Sequence, residues 1–396
     1  MGQVLESVKS LGLYITVWSL NSSQQYVKTA IVDQIENLQL VYKWVDPNTI
    51  QLTVAYSATL AQQLIVNNLL TIHANRVFNG VDTEPFLITY RQLQETSNGV
   101  RTITIKGSNP LIWLKRRTYK IVCDYGDIIP PEQVVTTAIE NVCVSPLVAN
   151  RALPNFNINF NYPLSNPIIP LYFEEPAYNL FTYCKNVLNT VNAGQTVSFA
   201  LLDTDNIQAG QFYYNIRAGI NRSMNQNVNL SIIFSPTQDN IASNSFTHSL
   251  VNFANVATVY GQIGNNYYFE DVGNTTASGY ARYETLCDAF LPTGQNATTL
   301  TTSNYKSIFQ TLGEQKLITQ AETQHTIGNL TVNCPFEFKT DFDVGDTVTY
   351  YYPEWGVNID VEITEVRLQF SSKGFTTQVS LGQPLPTLID KFGVDI

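Results

Sequence analysis

The residues of this chain that could bind a metal ion or carry out acid–base chemistry are few, and their spacing argues against both. Asp341, Asp343 and Asp346 in DFDVGD suggest calcium, but no bidentate Glu completes a twelve-residue loop, so a turn leading into a strand is favoured. Glu174 and Glu175 are adjacent on an extended segment, so their carboxylates point in opposite directions and cannot flank one glycosidic bond. We therefore predict neither a calcium site nor a pair of catalytic carboxylates.

Nucleophilic and nucleotide-binding motifs are missing from the sequence. It contains no GxSxG, HExxH or Walker motif. Only three histidines could add to a metal site, namely His73, His248 and His325. The five cysteines form no CxxC pair and are expected to be free thiols; they are Cys123, Cys143, Cys184, Cys287 and Cys334. We expect no catalytic residue, no cofactor-binding residue and no metal ligand, and so a protein that is not an enzyme and uses no cofactor.

The charge balance argues against a protein that binds nucleic acid without sequence preference. The chain carries 22 Lys and Arg against 32 Asp and Glu, a net charge of −10, whereas such a protein needs a basic surface that displaces counterions. Lys115, Arg116 and Arg117 could touch a phosphate, but at the edge of an acidic protein they favour a solvated or salt-bridged face. We expect no secretion signal and no helix that spans a membrane, because no apolar run is long enough.

The N-terminal third alternates apolar and polar residues with the period of two that is typical of strands. The pattern breaks at Asp46-Pro47-Asn48, Asn79-Gly80 and Asn98-Gly99, which are turn-forming sequences. The predicted strands lie in YITVW, IENLQLVYKW, TIQLTVAYS, NLLTIHA, FLITYRQLQE and VRTITIKG. These strands predict a compact β-domain that closes near PLIWLKRRTY.

The middle of the chain adds helices to strands. PPEQVVTTAIENVCV has Val134, Val135, Ala138, Ile139 and Val142 at helical spacing behind two prolines that suit a helix start. PAYNLFTYCKNVLNTV predicts a second amphipathic helix and SNYKSIFQTLGEQKLITQAETQHTI a third. VSFALLD and QFYYNIRAG predict strands, and the Pro- and Asn-rich ALPNFNINFNYPLSNPIIPLYFEEP predicts a loop packed on a neighbour.

Two parts of the sequence resemble each other. An ungapped alignment sets Leu52, Thr53, Val54, Val66 and Thr71 on Leu330, Thr331, Val332, Val344 and Thr349. After one gap, ITYRQLQETSNGVRTITIKG aligns with ITEVRLQFSSKGFTTQVSLG, which predicts that the turns at Asn98-Gly99 and Lys373-Gly374 are equivalent. An internal duplication is favoured over two hairpins that are alike only because both obey strand chemistry.

The alignment has one inconsistency after the turns. Ile103 and Ile105 are out of phase with Val379 and Leu381, so either one copy contains a bulge or the alignment is misplaced there.

Four stretches in order carry a resemblance to a known family: VRTITIKGSNPLIWLKRRTY, FANVATVYGQIG, YARYETLCDAF and DFDVGDTVTYYYPEWGVNIDVEITEVRLQF. Over about residues 10–385 the chain resembles the siphophage tail-associated, or baseplate hub, proteins that close the distal end of a phage tail tube. The resemblance implies a mainly β fold with α+β insertions, in which two tube-like β-barrel or sandwich domains are related by internal duplication and carry peripheral mixed domains.

The domains expected on this basis are four. Residues 1–118 form the first tube-like β-domain and 119–227 a peripheral α+β domain. Residues 228–327 contribute strands to the second tube-like domain together with a second peripheral insertion and a helix, and 328–396 form the second tube-like β-domain.

The resemblance also implies a function. It predicts the structural hub of a phage tail tip, a homotrimer whose paired domains present six similar surfaces to a hexameric ring, as closed symmetry requires. The implied partners are a distal tail or tail-tube-like ring protein, the tape measure protein, tip fibre or receptor-binding proteins, and double-stranded DNA in transit without specific binding. The implied location is the virion tail tip, after synthesis in the bacterial host cytoplasm.

Three alternatives remain open at this stage. A receptor- or carbohydrate-binding baseplate protein is favoured by the many Tyr and Asn residues. A cell-wall hydrolase is weaker, since only a short segment follows the last strand of the resemblance. The duplication could also serve fold stability alone.

The acidic balance leads to a prediction about the channel of the implied hub. Carboxylates facing the lumen would repel DNA over a Debye length of about 8 Å and keep it from adhering to the wall. We therefore predict a lumen that is neutral to negative, lined mainly by Asp, Glu, Asn, Gln, Ser and Thr, with residues 115–117 turned away from it. The alternative is that the charge serves only solubility.

Overall fold

The fold is built mainly from strands. A computed structural model gives the structure of the protein and describes residues 12–74, 80–120, 128–160, 169–170, 177–204, 207–263, 266–289, 302–371 and 374–383. Strands hold 49% of the residues and helices 20%, which confirms the predicted mainly β class with α+β insertions.

The N-terminal part contains all six strands predicted for it. The elements are β1 (Tyr14–Leu20), β2 (Tyr26–Val32), β3 (Ile35–Lys43), β4 (Thr49–Ala55), α1 (Ala58–Gln63), β5 (Leu69–Ala74), β6 (Gly80–Val81), β7 (Phe86–Glu95), β8 (Arg101–Ser108) and α2 (Ile112–Lys115). Strand β2 was not predicted, because Lys28 and Thr29 break its alternation. It forms by antiparallel pairing with β1.

The insertion that follows contains the two predicted amphipathic helices. Its elements are β9 (Thr118–Lys120), β10 (Ile128–Ile129), α3 (Pro131–Ile139), a π-helix (Glu140–Val144), a 3-10 turn (Ala149–Arg151), β11 (Phe156–Ile158), β12 (Ile169–Pro170), β13 (Ala177–Asn179), α4 (Leu180–Asn189), β14 (Ala193–Thr204) and β15 (Ile207–Ala218). Asn179 is the N-cap of helix α4, and its side chain accepts hydrogen bonds from two backbone N–H groups. Strands β14 and β15 contain the two predicted strand segments and pair as a long antiparallel hairpin, a pairing that the sequence did not predict.

The C-terminal part returns to strands. Its elements are β16 (Ile233–Phe234), β17 (Ile241–Ser249), β18 (Val256–Ile263), β19 (Asn266–Gly273), β20 (Glu284–Asp288), α5 (Thr302–Thr319), β21 (Thr323–Leu330), β22 (Thr347–Tyr352), β23 (Val357–Ser371) and β24 (Gly374–Leu381), with 3-10 turns at Pro236–Gln238, Gly279–Ala281 and Pro353–Trp355. The third helix, α5, is shorter than the stretch predicted for it. It ends at Thr319 because β21 pairs on both edges, with β17 and β24, and this pairing outweighs local helix propensity.

Three hydrophobic cores organise the described residues. The largest runs through both halves of the main sheet and includes Ile15, Leu52, Ile103, Leu368 and Val379. A second core joins helices α3 and α4 to hairpin β14–β15. A third lies between helix α5 and the small sheet β19–β18–β20. The duplicated halves thus share one core, while the insertions are built on cores of their own.

Candidate functional site: a duplicated sheet and its internal junction

The main sheet contains the same row of cross-strand neighbours twice. In the first copy Leu40 of β3 pairs with Ile50, which pairs with Gly107, which pairs with Ile88 of β7. In the second copy the corresponding row runs from β17 through β21 and β24 to β23; its members are Phe246, Thr326, Leu381 and Ile363. Since these rows follow from strand pairing alone, they establish the duplication independently of sequence similarity.

A bulge ends both rows in the same way. The register shifts at Thr89 in β7 and at Thr364 in β23. Each threonine hydroxyl lies near a carbonyl of the next strand, Thr89 near Lys106 O (3.4 Å) and Thr364 near Ser380 O (3.3 Å), although the shorter contact of Thr364 is to Gly382 O (2.8 Å). Bulges re-aim the strand that carries them, so both copies bend at the same point.

The structure corrects the sequence alignment in two strands. The alignment is right for β5 with β22 and for β7 with β23. In the first copy Leu69 pairs with Leu87, and the residues aligned with them, Thr347 and Glu362, pair with each other in the second copy. In β4 the alignment is wrong by two residues, because Leu52 corresponds to Gly328 and not to Leu330. In β8 it is wrong by one residue, which removes the apparent phase conflict; the corresponding pairs are Ile105 with Val379 and Gly107 with Leu381.

The two glycine turns close corresponding hairpins. In the first, the Thr96 N–H donates to Val100 O and leaves residues 97–99 in the turn, whereas in the second Ser371 pairs with Gly374 directly. The shorter second turn explains the shift of one residue. Gly99 and Gly374 both have positive φ, 76° and 107°, and Lys373 lies outside the described residues. The predicted equivalence of the two turns is confirmed at the level of the hairpins.

The two copies meet edge to edge inside the chain. Strand β3, which lies at the edge of the first copy, pairs antiparallel with residues 365–370 of β23, with Leu40 opposite Leu368. Strand β23 can do this because β22 covers only its first half, up to Glu362. The result is one continuous sheet across the junction, with both leucines fully buried.

The face of this sheet that points away from the core is mostly uncharged. One row on that face crosses five strands through Lys106, Gln51, Gln39, Gln369 and Thr376. Neighbouring positions on this face add amides, hydroxyls and a few charges: Gln92, Thr53, Thr104, Gln378, Ser380, Glu365, Arg367 and Lys43. Arg367 is ion-paired with Glu365 (3.1 Å), whereas Lys43 and Lys106 have no carboxylate partner among these residues, so the named positions are sparsely charged and carry a small net positive charge.

A buried charge cluster lies where the two copies and the insertion meet. Glu84 Oε1 lies 3.2 Å from both Arg217 Nη1 of β15 and Lys339 Nζ. Lys339 also pairs with Asp343 (3.0 Å), and the Tyr42 hydroxyl donates to Asp82 Oδ2 (2.5 Å). Glu84 Oε2 accepts from Thr196 (3.1 Å) and from the Asn48 amide. Buried charges need such partners, because an unpaired one carries a large desolvation penalty.

The pKa values in this cluster follow from burial and from the two cations. Burial, reinforced by Glu84, raises the pKa of Asp82 to about 7. Burial also acts to raise the pKa of Glu84, but Lys339 and Arg217 outweigh it and hold that pKa below its usual range. Three carboxyl groups thus face two cations, and the cluster is neutral when Asp82 keeps its proton.

Trp44 packs at the same junction and stabilises it. Its indole ring fits between Gly194 of the insertion and Gly345 of the second copy, where an added Cβ would come within 2.4 Å of ring carbons on either side. The Arg217 guanidinium lies 5.5 Å from the ring centroid. Trp44 is 4% exposed and therefore links three parts of the chain in one contact.

The acidic run DFDVGD forms a turn, as predicted. Its carboxylates have separate partners: Asp341 accepts from the Glu337 N–H (2.8 Å), Asp343 pairs with Lys339, and Asp346 pairs with Arg222 (2.7 Å). Gly345 has a positive φ of 91°, and β22 begins two residues later. In the described part of the chain no group of three His, Cys, Asp or Glu residues could hold a metal ion.

The other residues selected from the sequence are not gathered into one site. Lys115 and Arg116 are exposed, Arg117 is half-buried, and Lys115 lies over the Phe181 ring. Cys143, Cys184, Cys287 and Cys334 are free thiols, as predicted. Cys123 and the pair Glu174 and Glu175 lie outside the described residues. No helix among the described residues is long and apolar enough to cross a membrane.

Sequence reasoning missed the residues that form the junction. Asp82, Glu84 and Lys339 belong to no motif; their one signal was charge close to aromatic residues, Phe86 for the two acids and Phe338 for the lysine, in a chain with only 14% charged residues. Such charges are buried only when paired, but the sequence does not say with which partner.

The chain has structural neighbours among solved phage tail proteins. The chain is similar to the tail protein from Neisseria meningitidis MC58, at 11% identity and a TM-score of 0.53, with 94% of this chain and 96% of that chain covered. It is also similar to the 43 kDa tail protein of prophage MuSo2 from Shewanella oneidensis, at 8% identity and a TM-score of 0.49, covering 93% and 97% of the two chains. At these identities the likeness concerns the fold. No curated protein sequence matches the chain.

The sequence itself identifies the family. The sequence model described as "Siphovirus ReqiPepy6 Gp37-like protein" matches residues 14–383 and so spans nearly all of the duplicated sheet and its insertions. The resemblance to siphophage tail and baseplate hub proteins is thereby confirmed. The chain belongs to the Siphovirus ReqiPepy6 Gp37-like family of phage tail proteins.

Proposed function

We propose that this protein is the structural hub of a siphophage tail tip, a trimeric ring that joins the sixfold tail tube to threefold tip components and surrounds the DNA ejection channel. The observation that carries the proposal is the matching pair of cross-strand rows joined edge to edge at β3 and β23. Three chains with two such units each would present six similar surfaces, which a hexameric ring can contact by repeating one interface.

The mainly uncharged face of the sheet supports a conduit. A wall that is mostly Gln, Thr and Ser, with Lys43 and Lys106 as scattered cations, offers DNA few groups to hold its phosphates, so passage would release few counterions and meet little friction. We propose that the row through Gln51, Gln39 and Gln369 faces the lumen. Lys115–Arg117 would lie away from the lumen, beside the insertion helix α4.

The proposed partners are those of a tail tip. They are a distal tail or tail-tube-like hexameric ring protein, the tape measure protein, tip fibre or receptor-binding proteins, and double-stranded DNA in transit. The protein would act in the virion without enzymatic activity, after synthesis in the host cytoplasm. The proposed units remain residues 1–118, 119–227, 228–327 and 328–396.

Light scattering on the purified chain tests this function. The expected mass is that of a trimer, and co-expression with the ring protein of the same tail should yield a complex. A strictly monomeric chain at high concentration that also captures no ring protein would contradict the hub.

A second function is favoured by one surface, the open face of the small sheet β19–β18–β20. Tyr267 and Phe269 are each 62% exposed there, and Tyr260 stacks on Phe269 at 6.2 Å. Carboxylates flank the rings; Asp288 accepts from the Tyr260 hydroxyl and Asp271 pairs with Arg282. Exposed rings beside hydrogen-bond acceptors suit a neutral sugar, so this face supports a carbohydrate-binding role.

Titration with chitotetraose tests this second function. Binding that is lost in Tyr267→Ala/Phe269→Ala and kept in Tyr280→Ala, an exposed tyrosine outside the sheet, would support it. No binding by the unaltered chain at millimolar sugar would exclude this sugar as its ligand.

A further inference from the structure

The junction inside the chain leaves two strand edges without a partner among the described strands. Residues 90–95 of β7 pair with β8 on one side only, and β17 pairs with β21 on one side only. Leu93 lies on the core-facing side opposite Ile103 and yet is 51% exposed. Exposed edges of this length invite pairing with another chain.

The two free edges occupy the positions that are already paired at the internal junction. Strands β3 and β17 are equivalent, because Leu40 and Phe246 begin the two matching rows. Strands β7 and β23 are equivalent, because Ile88 and Ile363 end them. Leu93 therefore corresponds to Leu368, which β3 covers completely.

We propose that β17 of one subunit pairs antiparallel with residues 90–95 of β7 in a neighbouring copy of this chain. The register repeats that of β3 on β23, so that Phe246 lies opposite Leu93, Thr247 opposite Gln92 and Ser249 opposite Tyr90. This pairing rests on the trimer proposed above and specifies its interface. Six such edge-to-edge strand pairings, here called joints, then close one ring; three lie within chains and three between them.

The side chains that this register brings together are compatible. Phe246 is half-buried against the main core and would cover Leu93, as Leu40 covers Leu368. Thr247 meets Gln92, and no two like-charged carboxylates or ammonium groups stand opposite each other. His248 would face Arg91, and Glu322, whose Oε1 lies 2.6 Å from His248 Nε2, brings a carboxylate close to that guanidinium.

Cysteine cross-linking tests the register. Directly opposite residues of an antiparallel pair lie about 4.5–5.5 Å apart between Cα atoms, within disulfide range, whereas diagonal neighbours lie about 7–8 Å apart. The chain with Gln92→Cys and Thr247→Cys should form covalent trimers on oxidation. Gln94→Cys with Thr247→Cys, displaced by two residues on the same face, is the matched control and should not, nor should the unaltered chain with its own cysteines.

The outcomes distinguish a failure of the proposed β17–β7 pairing from a failure of the proposed trimeric hub. Cross-linked trimers in the first variant alone support the joint. A trimer by light scattering that cross-links in neither variant, or only in the displaced one, overturns the register and leaves the hub intact. A chain that is monomeric at every concentration overturns both.

A charge at the joint gives a second readout that needs no oxidation. Leu93→Asp should raise the concentration at which half the chains are trimeric on the order of tenfold or more, since an isolated carboxylate would be buried. Leu20→Asp, at a leucine of similar exposure on β1, is the control and should leave assembly unchanged. Equal behaviour of the two variants would overturn the proposal.

Discussion

At the scale of single residues, the junction contains a buried acid, Asp82, whose pKa is raised to about 7 by burial. Asp82 accepts the Glu84 N–H at Oδ1 (3.0 Å) and lies against the Tyr42 hydroxyl at Oδ2. Glu84 remains ionised because it holds Arg217 and Lys339. A fully ionised cluster would carry one excess negative charge in a buried site, so its stability must depend on pH.

The sign of that dependence follows from the pKa of Asp82. Burial raises this pKa to about 7, above its unfolded value, so the contribution is complete in acid and is lost as the pH rises through 7. We expect the free energy of unfolding to fall between pH 5 and pH 8 by on the order of 3 kcal/mol from this group.

Asp82→Asn is the variant that isolates this effect. The O–H of the protonated acid and the N–H of the amide would both donate to the Tyr42 hydroxyl oxygen, and the other oxygen would still accept from the Glu84 N–H, so the amide reproduces the protonated state without the titration. Urea denaturation at both pH values should give a smaller pH dependence than in the unaltered chain. An identical dependence in both proteins would assign the effect to other groups, such as Glu362, whose pKa burial also raises to about 7.

At the scale of elements, the strands were predictable and their partners were not. Buried and exposed side chains alternate clearly in β4 and β8, where the sequence pattern matches the structure, whereas nearly every side chain of β5 is buried. The pairing of β3 with β23 could not be predicted, since it joins residues more than three hundred positions apart and depends on β22 leaving half of β23 uncovered. The shorter second turn likewise misled the alignment of β8, because one residue reverses the face of every side chain in a strand.

The turn before β22 gives a prediction at this scale. Gly345→Ala should destabilise the protein by about 3 kcal/mol or more, because its Cβ would collide with the Trp44 ring in addition to the strain of a positive φ. Gly356→Ala is the matched control: φ is also positive, but no atom lies within 4 Å, so about 1 kcal/mol is expected. Thermal melts compare them, and equal losses would show that the fit around Trp44 contributes little.

At the scale of the whole molecule, the sparsely charged inner face predicts weak binding of DNA. The unaltered trimer should not retain duplex DNA at physiological salt, because Lys43 and Lys106 add only two unpaired cations per chain to that face. The variant with Gln39→Lys, Gln51→Lys and Gln369→Lys would add three cations per chain to that face and should bind duplex DNA with a strong salt dependence. Electrophoretic mobility shifts measure both, and retention by the unaltered chain would mean that the lumen is lined differently.

The central claim is that two copies of one sheet in each chain form a sixfold wall in a threefold ring. An electron cryomicroscopy reconstruction of the purified assembly, viewed along its axis, tests it most directly. The account predicts three chains, six similar sheets with Gln39, Gln51 and Gln369 facing the opening, and β17 of each chain paired with β7 of the next. A closed particle in which the second copy of the sheet lies outside the ring would contradict it.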